Sequence, residues 1–310
     1  DPLFILGEAI SCHHSVVAWP YSRGINEEYT AVHGAPLELI TGTIAEDPVL
    51  GRIGALEVRL SRNETEIAAA QAIRFQVFHQ EMGARSASTL EQRDADRFDA
   101  ICDHLLVIDT SRPGAVRDRI VGTYRLLPQE RAMAAGGFYS QDEFEMAPLI
   151  QRHPGRRFLE LGRSCVLPAY RSRRTIELLW QGIWAYCRRN GIDVMTGCAS
   201  FPGTVPAAHA EALSFLHHFC RAEGPWRTSA RADRYVSMDL MPREAVNAKT
   251  ALAAMPPLIK GYLRLGAKFG DGCVIDHEFR TTDVLVVLPV EAISERYIAY
   301  YGADAERFVA

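Results

Sequence analysis

The sequence predicts an α/β protein with a mixed, mostly antiparallel twisted sheet flanked by helices. Two observations carry that prediction. The apolar run Phe158 to Val166 leads through a short basic stretch, Leu167 to Arg174, into a helical face. There Ile176, Leu179, Trp180, Ile183, Trp184 and Cys187 recur at three- and four-residue intervals. Upstream, two strand-like runs, His104 to Asp109 and Ile120 to Leu127, are joined through the turn formers Ser111-Arg112-Pro113-Gly114. With 310 residues, 48% of them hydrophobic, the chain can bury one large core or two modest ones.

In chain order, residues 1–50 contain Pro20, Gly24, Gly34 and Pro36 with little periodicity, which predicts an irregular extension. Residues 51–200 hold the ordered core. Leu56 to Leu60 reads as a strand, Glu64 to Gln80 as a helix, and Asp94 to Asp99 as an acidic loop before the two joined strands. The long helix after Arg174 ends in a basic turn and a stop, Arg188-Arg189-Asn190-Gly191, and Val194 to Cys198 is the next strand. Pro202-Gly203-Thr204 then breaks the chain. In residues 201–310 a helix is expected over Ala207 to Cys220, another from Met255-Pro256-Pro257 to about Leu265, and a strand over Asp283 to Leu288. No long linker stands near residue 200, so this half is expected to extend the same sheet and complete the site.

Composition excludes several classes. A formal net charge of −4 does not suit nucleic-acid binding. The longest apolar runs fall far short of the roughly 20 residues of a membrane-spanning helix. The amino end lacks a basic region followed by an apolar one, so a cytoplasmic location is expected. Seven scattered cysteines, with no Cys-x-x-Cys pair, predict reduced thiols. Cys220 near His217 and His218 lacks a four-ligand pattern, and no metal is expected. Charge is nevertheless uneven: residues 152–189 hold nine arginines against two acids, a patch suited to phosphate, an acidic carrier protein or anionic headgroups. A solvated helix face in a chain with only three lysines would look the same.

The 158–190 segment has a chemical reading. Amides at the helix start, reinforced by guanidinium groups, can hold the phosphate of a pantetheine arm, which sets a thioester beside Glu160 and Arg163. Acyl transfer to an amine needs a base for the ammonium and polarisation of the carbonyl. Glu160 is the candidate base, since a carboxylate in a partly apolar site has its pKa raised; the alternative is a structural pair with Arg163. Arg74 interrupts an apolar helix face, and its burial requires an acid from among Asp94, Asp96, Asp99 and Asp103. Arg125, charged within a strand, suits a bidentate grip on a substrate carboxylate.

Arg74-Phe75-Gln76-Val77-Phe78, the acids from Asp94 to Asp103, Gly122-Thr123-Tyr124-Arg125 and Glu160-Leu161-Gly162-Arg163 resemble the ordered motifs of acyl-homoserine-lactone and N-acyl amino acid synthases, a branch of the acetyltransferase superfamily. The match tightens over Glu160 to Val166, Leu178 to Ile183, Gly197 to Phe201, Pro257 to Gly266 and Thr281 to Val284, which look like the bacterial L-ornithine Nα-acyltransferases across roughly residues 50–310. The resemblance implies an acetyltransferase-like fold. It implies a 3-hydroxyacyl chain passed from acyl carrier protein to the α-amine of ornithine, giving lyso-ornithine lipid, with no cofactor beyond the carrier-bound thioester. By the same resemblance Glu160 and Arg163 are the catalytic pair, and Arg74, Asp99, Asp103 and Arg125 complete the substrate site. Val166, Arg171, Ser172, Arg173, Arg174 and Thr175 are expected to meet the phosphopantetheine and carrier.

One departure bears on the donor. The superfamily's coenzyme A loop carries two glycines that let backbone approach a pyrophosphate. Here Arg171-Ser172-Arg173-Arg174-Thr175-Ile176 keeps the leading arginine and replaces both, which favours a carrier with a single phosphodiester. The lipid product implies reversible contact with the inner face of the cytoplasmic membrane. Tyr297, Tyr300 and Tyr301 suit such contact, or pack as a last core helix. Two rival functions stay open: an acyl-homoserine-lactone or N-acyl amino acid synthase with another amine, and a non-catalytic carrier- or lipid-binding protein.

Overall fold

The computed structural model describes residues 49–85, 92–295 and 297–298. The extension expected at residues 1–50 lies outside the described residues except for Val49 and Leu50, as do Tyr300 and Tyr301. The described strands are β1 (Gly51–Ile53), β2 (Leu56–Leu60), β3 (Asp103–Asp109), β4 (Ile120–Pro128), β5 (Phe158–Val166), β6 (Val194–Pro202), β7 (Lys268–Phe269), β8 (Val274–Asp276) and β9 (Thr281–Pro289). They form one sheet in the order β1-β2-β3-β4-β5-β6-β9-β7, with β8 also on β9. Every pairing is antiparallel except β5 with β6. The helices are α1 (Glu64–Arg74), α2 (Val116–Arg119), α3 (Gln129–Ala134), α4 (Met146–Gln151), α5 (Arg173–Asn190), α6 (Ala210–Phe219), α7 (Ala248–Ala254) and α8 (Pro257–Arg264).

Both faces of the sheet are covered, so the apolar runs Leu105 to Ile108 in β3 and Val284 to Leu288 in β9 are continuous instead of alternating. In β9, Val284, Val286 and Leu288 pack with α5, α6 and α8, while Leu285 and Val287 face the opposite way into a cluster with Phe138, Phe144 and Leu149. In β3, Leu105 and Val107 likewise meet α5, and Leu106 and Ile108 meet α1. The apolar face expected on α5 is buried from Leu178 to Cys187, but its first residue, Ile176, is exposed; Gly191 ends the helix in the left-handed conformation. Tyr297 packs partly buried against the main core.

The helix expected over Glu64 to Gln80 differs in one respect. Asn63 caps α1 by accepting from the Glu66 amide. After Arg74, however, the backbone widens into a π-helical segment, Phe75–Glu81. A π segment offsets the side chains that follow it from a regular helical face, and such segments occur often at functional sites.

Two irregularities in β5 make the site. Its pairing with β6 covers only Phe158, Leu159 and Glu160, opposite Val194, Met195 and Thr196, although both strands run six residues further. Gly197 stands where they part: its φ is 143°, and an added Cβ would lie 2.3 Å from the Leu161 carbonyl oxygen. On the other side, β4 and β5 slip register, Thr123 facing Cys165 but Arg125 facing Gly162, so Arg163 and Ser164 bulge out of the ladder. Arg163 takes the left-handed conformation there, with φ 51°, which costs a non-glycine residue about 1 kcal/mol. Gly197→Ala is therefore expected to destabilise the fold by about 2 kcal/mol or more, read as a lowered denaturant midpoint.

Candidate active site

Where β5 and β6 separate, a cavity of about 510 Å³ opens between them, roofed by α5 and the π-helical segment. One part is apolar, lined by Val77, Phe78, Leu179, Trp180, Ile183 and Leu258. The other is polar, lined by Arg125, Ser140, Glu160, Arg163, Asp276 and Asp283. An acyl chain fits the first, and a charged head the second.

Glu160 is the last β5 residue paired with β6, and its side chain is 4% exposed. Its carboxylate accepts from the amides of Tyr139 (2.8 Å) and Ser140 (2.7 Å) and from the Ser140 hydroxyl. Burial pushes its pKa above the ordinary carboxylate range, against the opposing pull of those donors and of Arg125. Three donors fix its orientation and leave one lone-pair direction for a substrate proton.

The alternative pairing of Glu160 with Arg163 is not what forms. Arg163 instead meets Asp94 (3.3 Å) and Asp96 (3.2 Å), and its guanidinium lies over the Tyr139 and Phe279 rings at 4.8 and 4.4 Å. Arg74 is fully enclosed between Asp94 and Asp99, each at 2.8 Å, so two of the four candidate acids supply its partner. Arg125 reaches Asp96 at 2.6 Å and Asp99 at 3.6 Å. The acidic loop is thus a counter-charge plate joining α1, β4 and β5, and buried guanidinium groups need such partners. Arg125 and Arg163 still face the cavity, whereas Arg74 and Asp99 stand behind it. Asp103 stands apart: at the start of β3 it takes Arg131 (2.8 Å) and the Tyr186 hydroxyl (2.6 Å) and does not line the cavity.

At the helix start, Ser172 caps α5, its hydroxyl accepting from the Thr175 amide at 3.3 Å. Val166, Arg171 and Thr175 line the cavity mouth with Ile176. Arg171 is braced, donating to both Glu81 oxygens (2.5 and 2.6 Å) and to the Val166 carbonyl. Arg173, 84% exposed and in contact with Glu177, and Arg174 face solvent.

Sequence reasoning missed Ser140, Glu143, Cys198, Asp276 and the side-chain role of Asp283. The Cys198 thiol lies 3.4 Å from both the Ser140 hydroxyl and the Glu143 carboxylate, and Asp283 completes that group. The one local hint was Asp283 itself, a carboxylate near the start of β9 directly before the apolar run Val284 to Leu288. His217, His218 and Asp239 also gather, with one ligand atom each within 4.8 Å of the others; Cys220 is not among them. No described helix is long and apolar enough to cross a membrane.

The antiparallel sheet with one splayed parallel pair, the bulge and the helix start define a GNAT-type acyltransferase, and residues 73–181 match the acetyltransferase (GNAT) domain family. The L-ornithine N(alpha)-acyltransferase of Brucella abortus (strain 2308) is 63% identical over 84% of this chain and 94% of its own length. That of Rhodobacter capsulatus is 42% identical over 81% of this chain and 96% of its own length. The chain belongs to this family and is an N-acyltransferase. An N-acyl amino acid synthase from uncultured soil microbes superposes with a TM-score of 0.42 at 12% identity, over 76% of this chain and 91% of that one.

The counter-charge plate sets an acid limit. Burial alone would raise Asp99, but Arg74 and Arg125 outweigh it and hold the carboxyl at about 2. A carboxyl depressed from its ordinary 3.8 stabilises the fold above that value, and the contribution, about 2 kcal/mol, is lost as pH falls from about 4 toward 2. Asp99→Asn is expected to flatten this limb in urea titrations at several pH values and to lower stability at pH 7 by about 3 kcal/mol.

Proposed function

We propose that this enzyme transfers a 3-hydroxyacyl group from acyl carrier protein to the α-amine of L-ornithine, forming lyso-ornithine lipid. The observation that carries the reading is a desolvated, pre-oriented carboxylate, Glu160, at the fork between an apolar channel and a charged chamber. The names of the relatives support ornithine as acceptor.

In the proposed reaction Glu160 takes a proton from the substrate α-ammonium, and the freed lone pair attacks the thioester carbonyl carbon. Arg163 and Ser164 lie outside the β4 ladder, so their amides are available to a developing oxyanion. The carbon–sulfur bond then breaks, the thiolate leaves with the carrier and takes up a proton, and the amide remains. Arg125 and Arg163 face the substrate carboxylate, while Arg74 and Asp99 hold those arginines in place. Asp103 has no contact in this scheme.

The carrier as donor is supported by the helix start. Arg173 and Arg174 project at the end of α5 where its dipole favours an anion, and neither glycine of a pyrophosphate loop is present. A soluble carrier and a lipid product together fit reversible contact with the cytoplasmic membrane surface.

Purified protein, mixed with 3-hydroxyacyl carrier protein and an equimolar amino-acid pool, is expected to yield Nα-acylornithine as the dominant product by mass spectrometry. Another acyl amino acid would replace the acceptor, and bound carrier without product would favour a binding protein. Exchanging Arg173 and Arg174 for Glu is expected to raise KM for carrier protein roughly tenfold while leaving that for ornithine nearly unchanged.

A further inference from the structure

The polar half of the cavity is not uniformly charged. On the β5 side, Arg74, Arg125 and Arg163 are matched by Asp94, Asp96 and Asp99. On the β9 side, acids predominate. Asp283, opposite Ser200 in the β6–β9 pairing, is 6% exposed, lines the cavity, and its Oδ1 accepts no hydrogen bond. Glu143 lies behind it, paired with Arg234 at 3.2 Å. Asp276 lines the cavity beside them and accepts from the amides of Glu278 (2.7 Å) and Phe279 (2.9 Å). Two cavity-lining carboxylates, Asp276 and Asp283, therefore stand without an ion-pair partner among the described residues, and one Asp283 oxygen is buried without a donor.

A buried carboxylate oxygen without a donor is costly unless a ligand supplies one. The ligand chemistry that satisfies Asp283 and relieves its repulsion with Glu143 and Asp276 is a primary ammonium. Glu160 and Asp283 are linked along one wall through Ser140 and Cys198. An amino acid with its carboxylate toward Arg125 and Arg163 and its α-amine at Glu160 would extend its side chain along that wall.

We propose that Asp283, backed by Glu143 and Asp276, binds the side-chain ammonium of the acceptor and thereby sets the preference for a diamino acid. The inference rests on the ornithine reading above. A side chain without the ammonium leaves Asp283 unsatisfied, which is how a polar site rejects an apolar analogue. Burial pushes the Asp283 carboxyl up to about 7, with Glu143 adding to the shift and the hydroxyls of Thr281 and Ser200 opposing it. The carboxyl therefore titrates near neutrality, and only its ionised form attracts the ammonium.

The test compares kcat/KM for ornithine and for norvaline, the same carbon chain without the terminal amine, in wild-type protein and Asp283→Asn. The variant is expected to lose roughly ten- to hundredfold on ornithine and to keep norvaline turnover within about threefold. Equal loss on both acceptors, or an unchanged ratio, overturns the subsite. Wild-type protein that makes no Nα-acylornithine overturns the ornithine reading and the subsite together; product from wild type with an unchanged ratio in the variant overturns the subsite alone. A second readout needs no variant. Steps common to both acceptors cancel in the ratio, so ornithine preference in wild type is expected to rise as pH climbs through about 7 and Asp283 ionises. The groups facing Asp283 are Glu143, Asp276, Cys198, Ser200, Thr281 and Cys273. A flat ratio across that range overturns the proposal as well.

Discussion

Parallel hydrogen bonding between β5 and β6 runs only from Phe158 to Glu160, because at Gly197 the β6 backbone turns through a conformation open to glycine and passes against the Leu161 carbonyl. Beyond that point the two strands have six residues each with no ladder between them. Backbone groups freed in a sheet interior must find other partners or face a ligand. The opening therefore creates the cavity and the polar groups that line it. Glu160 sits at the fork, the one β5 residue that both pairs with β6 and lines the chamber.

Holding β5 in that geometry requires charge balance. Arg163 occupies a strained bulge, and Arg74 and Arg125 are buried on neighbouring elements. Each alone would be strongly destabilising; the aspartates of one loop neutralise all three. The same loop thus supports the fold and leaves Arg125 and Arg163 facing the chamber. On and around β9, Glu143 has Arg234 beside it, but Asp276 and Asp283 have no ion-pair partner among the described residues, and this asymmetry between the two walls gives the chamber a direction.

The 158–190 unit was legible because its signals are local: strand, basic turn, cap and helical face follow one another within a few turns of chain. The acid partner of Arg74 was legible in kind, since a guanidinium on an apolar face demands one. Asp103 shows where linear motifs stop: it belongs to the same acidic stretch as Asp99, yet the start of β3 turns it toward Arg131 and Tyr186. The π-helical Phe75–Glu81 was not legible, because an apolar pattern does not distinguish its wider turn from a regular one. Glu143, Cys198 and Asp283 converge only through the long-range pairing of β6 with β9, which no local pattern encodes.

The central claim, that a desolvated Glu160 removes the proton from the acceptor amine, is tested most directly by the pH dependence of kcat/KM in wild-type protein and Glu160→Gln. The wild-type rate should fall with decreasing pH through an apparent pKa above the ordinary glutamate value, since a base is lost on protonation. Glu160→Gln should lower the rate roughly 10²- to 10⁴-fold and abolish that limb, with the fold intact. A Gln variant that keeps the wild-type rate and the same acidic limb would contradict the account.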